Sequence, residues 1–175
     1  GRSTKVDVQT FSPRHINAIV TEEHNNRTWR FTGFYGHPET SKREDSWRLL
    51  EELIMRSDLP WLCMGDFNEI LHLGEKVRGT LRPEGQMRSF RETVNRCNLR
   101  DMGYIGSDFT WSRRLGGRGW VRERLDRALV SSSWMAMFPG VSLHHAAAST
   151  SDHCMLVLKA PQTRRGWRRR SKMFR

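Results

Sequence analysis

The chain has 175 residues, enough for one domain with a substantial core, yet only 37% of them are hydrophobic and the mean hydropathy is −0.69. Eight of the 30 Lys and Arg, and none of the 19 acids, fall after position 158, so the formal charge of +11 reduces to 22 against 19, or +3, for residues 1–158. No apolar run approaches the roughly 20 residues of a membrane span and no signal-peptide core opens the chain, while Cys63, Cys97 and Cys154 are too few and too scattered for a disulfide framework or a zinc site.

A soluble, intracellular protein in a reducing compartment is therefore expected, and the missing initiator Met suggests a piece of a longer product. Residues 6–11 and 15–20 alternate in the manner of strands, with Ser12-Pro13 between them and the polar turn "EEHNNR" after them. A third strand runs from Trp29 to Tyr35. "SKREDSWRLLEELIMR" predicts a helix, with Ser41 as N-cap and Trp47, Leu50, Leu53 and Ile54 on one face. A strand then leads into Asp66, followed by a loop from Gly74 to Gly85 and a second helix from Met87 to Cys97 with Phe90, Val94 and Cys97 as its stripe. Strands at 109–112 and 121–130 joined by "RLGGRG" read as a hairpin, a short helix is expected at 132–138, and the apolar run Cys154 to Leu158 predicts a buried strand. Alternating strands and helices without an internal repeat give an α/β layered domain.

Polar residues interrupt the ends of these strands at four places: Tyr35 and His37, Asp66 and Asn68, Asp126, and Asp152 with His153. In extended chain the i, i+2 spacing sets Asp66 and Asn68 on one face. Phosphodiester hydrolysis needs an oriented water, a base, donors to the non-bridging oxygens and a cationic group against the developing charge. A His paired to an Asp, an Asp–Asn pair and further carboxylates for Mg²⁺ would supply them.

The ordered stretches "GFYGHPE", "WLCMGDFNEIL", "DFTWSR", "RERLDRALVS" and "SDHCMLVL" resemble those of the endonuclease/exonuclease/phosphatase superfamily with its DNase I-like fold, most of all the apurinic-type endonuclease domains of plant non-LTR retrotransposons. The resemblance implies a four-layer α/β sandwich over residues 1–160, incomplete at the N-terminus, and a basic flexible tail over 161–175. It implies that Tyr35 contacts the scissile phosphate, Asp66 orients or deprotonates the attacking water, and Asn68 hydrogen-bonds phosphate and water. Asp126 would orient His153, His153 would stabilise the phosphorane-like charge, and Asp152 would join Asp66 in holding Mg²⁺ or Mn²⁺. Ser151 would shape the loop.

Thr110 and Trp111 match a stretch near the family's DNA-contacting surface. Lys76, Arg78, Arg82, Arg113, Arg114 and Arg118 are loop cations suited to phosphate contact, as are the tail arginines around Trp167 and Phe174. The family's Asn motif and the Glu that is a principal metal ligand have no counterpart, since Glu22 and Glu23 lie in a polar turn. A chain cut at both ends is thus expected, leading onward to a reverse transcriptase. The implied activity is Mg²⁺-dependent nicking of DNA in the nucleus. A silent nucleic-acid-binding remnant and a phosphatase of small phosphoesters are the alternatives.

Overall fold

The computed structural model describes residues 3–117 and 119–161; the tail cations, Trp167, Phe174 and Arg118 lie outside them. Strands β1 (Thr4–Ser12), β2 (His15–Glu22) and β3 (Arg27–Tyr35) form an antiparallel meander. Helix α1 (Arg43–Ile54) then crosses to β4 (Trp61–Asp66), which lies parallel to β3. After β5 (Lys76–Val77) and α2 (Glu84–Arg96) come β6 (Leu99–Asp101), β7 (Ile105–Gly106), the hairpin β8 (Trp111–Leu115) and β9 (Gly119–Glu123), then β10 (Asp126–Ser131). Helix α3 (Ser132–Met137), β11 (Ser142–Ala146) and β12 (Met155–Lys159) complete the described fold. The main sheet has the order β1-β2-β3-β4-β10-β6, and two three-stranded sheets, β12-β11-β7 and β5-β9-β8, accompany it.

Alternation along the central strands divides the core into two layers. Trp61 and Cys63 of β4 and Leu129 of β10 face α1 and α2, where Trp47 stacks on Phe90 at 4.5 Å between ring centroids. Leu62 of β4 with Ala128 and Val130 of β10 face the other way, onto Trp134 of α3 and Leu143 of β11. The result is a helix layer, a sheet and a second sheet. Among the described residues no helix covers the outer face of that second sheet, so three of the four expected layers are present. The face that receives the second sheet continues beyond it: Val6, Val8 and Ile16, on the same side as the buried Ala18 and Val20, are 60%, 52% and 53% exposed.

Several boundaries differ from the sequence expectation for local reasons. Ser41 does not cap α1; Thr40–Lys42 form a 3₁₀ turn and the N-cap position, Lys42, makes no side-chain cap hydrogen bond. Helix α2 begins at Glu84, directly after Pro83, whose fixed φ of −59° leads the chain in. The expected strand over 121–130 is two strands, because Arg124 and Leu125 turn the chain from the small sheet into the main one. The last strand is only partly buried, Met155 being 52% exposed, since β12 lies at the edge of its sheet.

Candidate active site

Three adjacent strands of the main sheet end at the same level. Asp66 at the end of β4 is the register partner of Tyr35 on β3 and of Asp126 on β10. Two glycines permit this packing: a Cβ on Gly36 would stand 2.2 Å from the carbonyl oxygen of Phe67, and one on Gly65, whose φ is +150°, would stand 2.0 Å from that of Phe34. Gly36 N–H donates to Asp66 O at 2.7 Å, tying the loop after Tyr35 to the end of β4.

Asn68 reaches Asp66 by a turn and not by strand alternation. The strand ends at Asp66, and Asn68 adopts φ +54°, a conformation asparagine tolerates well. Its backbone N–H donates to Asp66 Oδ1 at 2.8 Å and its Nδ2 to Asp66 Oδ2 and Gly36 O, each at 3.0 Å. Both amide hydrogens are thereby engaged, and Asn68 holds the Asp66 carboxylate in place. Burial raises the Asp66 carboxyl to about 6; the Asn68 N–H opposes that rise, Asp126 adds to it, and His153 and Arg43 moderate it.

His153, half-buried just before β12, directs Nδ1 at Asp126 Oδ2, 2.8 Å away. The hydrogen bond that Nδ1–H donates to Asp126 raises the imidazole pKa, burial opposes it, and the charges of Asp126, Asp66 and Asp152 add to the rise. Asp66, Asp126 and His153 each offer an atom within 4.8 Å of the others. The carboxylates that meet are therefore Asp66 and Asp126, not the expected Asp66 and Asp152. Asp152 is exposed and held aside, its Oδ2 accepting from Trp111 Nε1 at 2.8 Å.

Thr110 is 1% exposed and cannot meet DNA. Its Oγ1 accepts from the backbone N–H groups of Leu125 and Asp126 at 3.0 and 2.9 Å, which fixes the chain entering β10. Thr110→Val, which keeps the shape and strands both donors, is expected to lower stability by about 2 kcal/mol, while Thr110→Ser retains most of it; urea unfolding checks both. Trp111 bridges to His153 through the backbone and holds Asp152 by its indole. The Ser151 hydroxyl accepts from His153 N–H at 3.1 Å.

Tyr35 is 43% exposed, with the Arg14 guanidinium 5.0 Å from its ring centroid. His37 is bound locally, its backbone N–H donating to Ser46 Oγ at 2.8 Å and its Nδ1 accepting from Glu39 N–H at 3.2 Å. Lys76 and Arg82 are not surface contacts. Lys76 pairs with the buried Glu123, and Arg82 spans Glu69 and Glu123 at 3.0 and 2.5 Å. Arg78 is exposed with its guanidinium against Gly119, and Arg113 and Arg114 are exposed on β8.

Successive strand residues face opposite ways, so Ser112, Arg114, Trp120 and Arg122 share one face of the hairpin and Arg113 the other. A cleft of about 380 Å³ lies beside His153, lined by Trp111, Ser112, Trp120, Arg122 and Asp152. Trp120 and Arg122 are the candidates missed in the sequence; pairing "RLGGRG" as a two-stranded ladder sets Trp120 opposite Arg114.

The Endonuclease/Exonuclease/phosphatase family matches residues 2–153. The chain belongs to that family. Among solved structures it is similar to the endonuclease domain of TRAS1, a telomere-specific non-LTR retrotransposon, at 14% identity and a TM-score of 0.64, covering 90% of this chain and 70% of that one. A family protein from Leptotrichia buccalis is similar at 16% identity and TM-score 0.58, with 91% and 61% covered. A mannosyl-6-phosphatase from Bacteroides thetaiotaomicron gives 15% identity, TM-score 0.51, and 91% and 65% covered. The chain thus spans less than two thirds of the last two, and these likenesses carry the DNase I-like fold of the family. No curated protein matches the chain.

Partial burial of Asp66 also makes stability depend on pH. A carboxyl raised from 3.8 to about 6 binds its proton more tightly folded than unfolded, so stability falls as pH rises from about 4 to 6. Asp66→Asn removes that charge but weakens one bond from Asn68, and is expected to raise neutral-pH stability by about 1–2 kcal/mol; thermal melts at pH 7 and pH 4 check that the gain is confined to the higher pH.

Proposed function

We propose that this chain is the later part of a metal-dependent phosphodiesterase domain, of retrotransposon origin, that nicks DNA. The observation carrying the reading is the His153–Asp126 pair set beside the Asn68-held Asp66 at one end of the main sheet. His153, whose protonated form Asp126 favours, would place positive charge against a non-bridging or leaving oxygen. Asp66, with its carboxyl near neutrality, would orient an attacking water and accept its proton. Tyr35, exposed at the same sheet end, would donate its hydroxyl to the phosphate.

The donor set suits a hard cation. Asp66 and Asp126 are mutually repelling carboxylates, and Mg²⁺ is commonly held by one or two carboxylates and several waters. Those two residues would hold Mg²⁺ or Mn²⁺, whose charge would neutralise the reacting phosphate. With Asp152 held aside and no further acid in the group, weak Mg²⁺ binding is expected.

DNA as substrate is supported by exposed Arg114 and Arg122 with Trp120, on the hairpin face that borders the His153 cleft, which offer phosphate contacts and a stacking surface, while Arg113 is exposed on the opposite face. A nuclear site of action and a reverse transcriptase carried on the same polyprotein would follow from retrotransposon origin. No helix of the described residues is long and apolar enough to cross a membrane. A second reading, hydrolysis of small phosphomonoesters, is favoured by the size of the cleft beside His153, which matches small-molecule sites. Relaxation of supercoiled plasmid in Mg²⁺ against EDTA, beside release of nitrophenol from nitrophenyl phosphate, tests the two in the shortest polypeptide containing this chain that turns over either substrate: monoester turnover there without nicking would sink the nuclease reading.

A further inference from the structure

The buried arginines of this fold are not alike. Arg43, Arg124 and Arg127 each meet a carboxylate, at 2.7, 2.9 and 2.9 Å. Arg30 is 1% exposed and forms no ion pair with any described residue. Its Nη1 donates to Leu53 O at 2.6 Å, capping the end of α1, and its guanidinium lies 3.8 Å from the Trp61 ring centroid. Nε and Nη2 are left without hydrogen-bond partners. A cation removed from water with donors unspent and no counter-charge is strongly disfavoured, and an anion is the means of relieving it. Burial lowers the Arg30 pKa to about 10, so the side chain remains charged at neutral pH.

Arg30 borders a cavity of about 340 Å³ on the helix side of the β1–β2 hairpin, with Gln9, Thr10, Asn17, Arg56 and Ser57. No acid lines it. Asp7, the hairpin acid nearest in sequence, has its Oδ2 bonded to Gln9 Nε2 at 2.7 Å. Asn17, 3% exposed, accepts from Thr32 Oγ1 through its Oδ1 at 2.9 Å, which assigns its Nδ2 as the remaining donor. Arg56 contributes a second cation, whose field joins burial in lowering the pKa of His15. Arg30 sits five residues along β3 from Tyr35, about 16 Å at the strand rise, and faces the helix layer, so this cavity is separate from the His153 cleft.

We propose that this cavity is an anion site that takes a phosphate group, free or as the terminal phosphate of a mononucleotide. A tetrahedral oxyanion would accept from Arg30, Arg56 and the Asn17 amide together, and guanidinium groups match its geometry. The inference does not depend on the proposed nuclease activity.

Amide-detected NMR titration of the whole chain with inorganic phosphate, at constant ionic strength, tests it. Saturable shifts are expected at Arg30 Nε–H, the Asn17 side-chain amide and Ser57 N–H. Arg56→Gln, at an exposed position the fold does not need, is expected to weaken binding about tenfold. A nucleoside monophosphate that binds more tightly while the nucleoside alone is inert identifies the nucleotide source; equal affinity identifies free phosphate. Shifts that grow without saturating, that chloride reproduces, or that Arg56→Gln leaves unchanged would overturn the site.

Discussion

His153→Ala is expected to lower Mg²⁺-dependent nicking of supercoiled plasmid by about 10²–10⁴-fold, with DNA affinity almost unchanged. The loss follows from the placement of the imidazole, whose Nδ1 is spent on Asp126 while its other nitrogen is left for substrate. Affinity would reside elsewhere, in Arg and Lys contacts to phosphates, and should fall with salt by the same slope in both proteins. Asp66→Ala is expected to behave alike, through loss of the water-orienting carboxylate. The comparison belongs in the shortest polypeptide containing this chain that nicks. The 175 residues alone are expected to nick slowly or not at all, because among the described residues only two carboxylates converge and the apolar face around Val6, Val8 and Ile16 is exposed. Undiminished nicking in His153→Ala would remove the dyad from the reaction.

The same pair sets a pH dependence. His153 has its pKa raised in the fold, so the stability it contributes is fully present below 6.5 and is lost as pH climbs through the raised value. Nicking that relies on the imidazolium should decline over that same upper window, and imidazole ¹H shifts followed against pH locate it.

The strand ends were legible because polar residues interrupt apolar runs at Tyr35, Asp66, Asp126 and His153, and a sheet brings such ends to one level through its register. Side-chain roles were less so. The approach of Asn68 to Asp66 depends on a left-handed turn, which no periodicity announces. Thr110 and Asp152 lie beside the right neighbours in sequence, yet their partners come from 15 and 41 residues away, Leu125 and Trp111 respectively. Lys76 and Arg82 look like loop cations until Glu69 and Glu123, both buried, are seen to require them. Charge type was readable; pairing was set by the tertiary fold.

The largest stability effect is expected at Arg127, beside Asp126 on β10 and 0% exposed. Its Nη1 donates to Asp101 Oδ2 at 2.8 Å and its Nη2 to Glu75 Oε2 at 2.9 Å, while Arg124 joins the same two acids at 2.8 and 2.9 Å. Two cations and two anions thus bind the turn after Asn68, the end of β6 and the start of β10 into one unit. Arg127→Met fills the space but leaves two partly buried carboxylates to one guanidinium, a loss of about 3 kcal/mol, at the lower end for broken buried pairs. Arg127→Lys should recover part of it, since a single ammonium cannot span both acids.

The pH dependence distinguishes charge from packing. Burial alone would raise Glu75 and Asp101, but the bonds and charges of Arg127 and Arg124 outweigh it and hold both below their ordinary values. Carboxyls depressed in the fold contribute stability that is present above 4.5 and 3.8 and lost as pH falls through their lowered values. The deficit of Arg127→Met should therefore be full at pH 7 and shrink as pH falls below about 4, where the acids that need Arg127 become neutral. Urea unfolding of both proteins at pH 7 and pH 3 measures it, and an equal deficit at the two values would assign the effect to lost packing over Phe90, whose ring centroid lies 5.6 Å from the guanidinium.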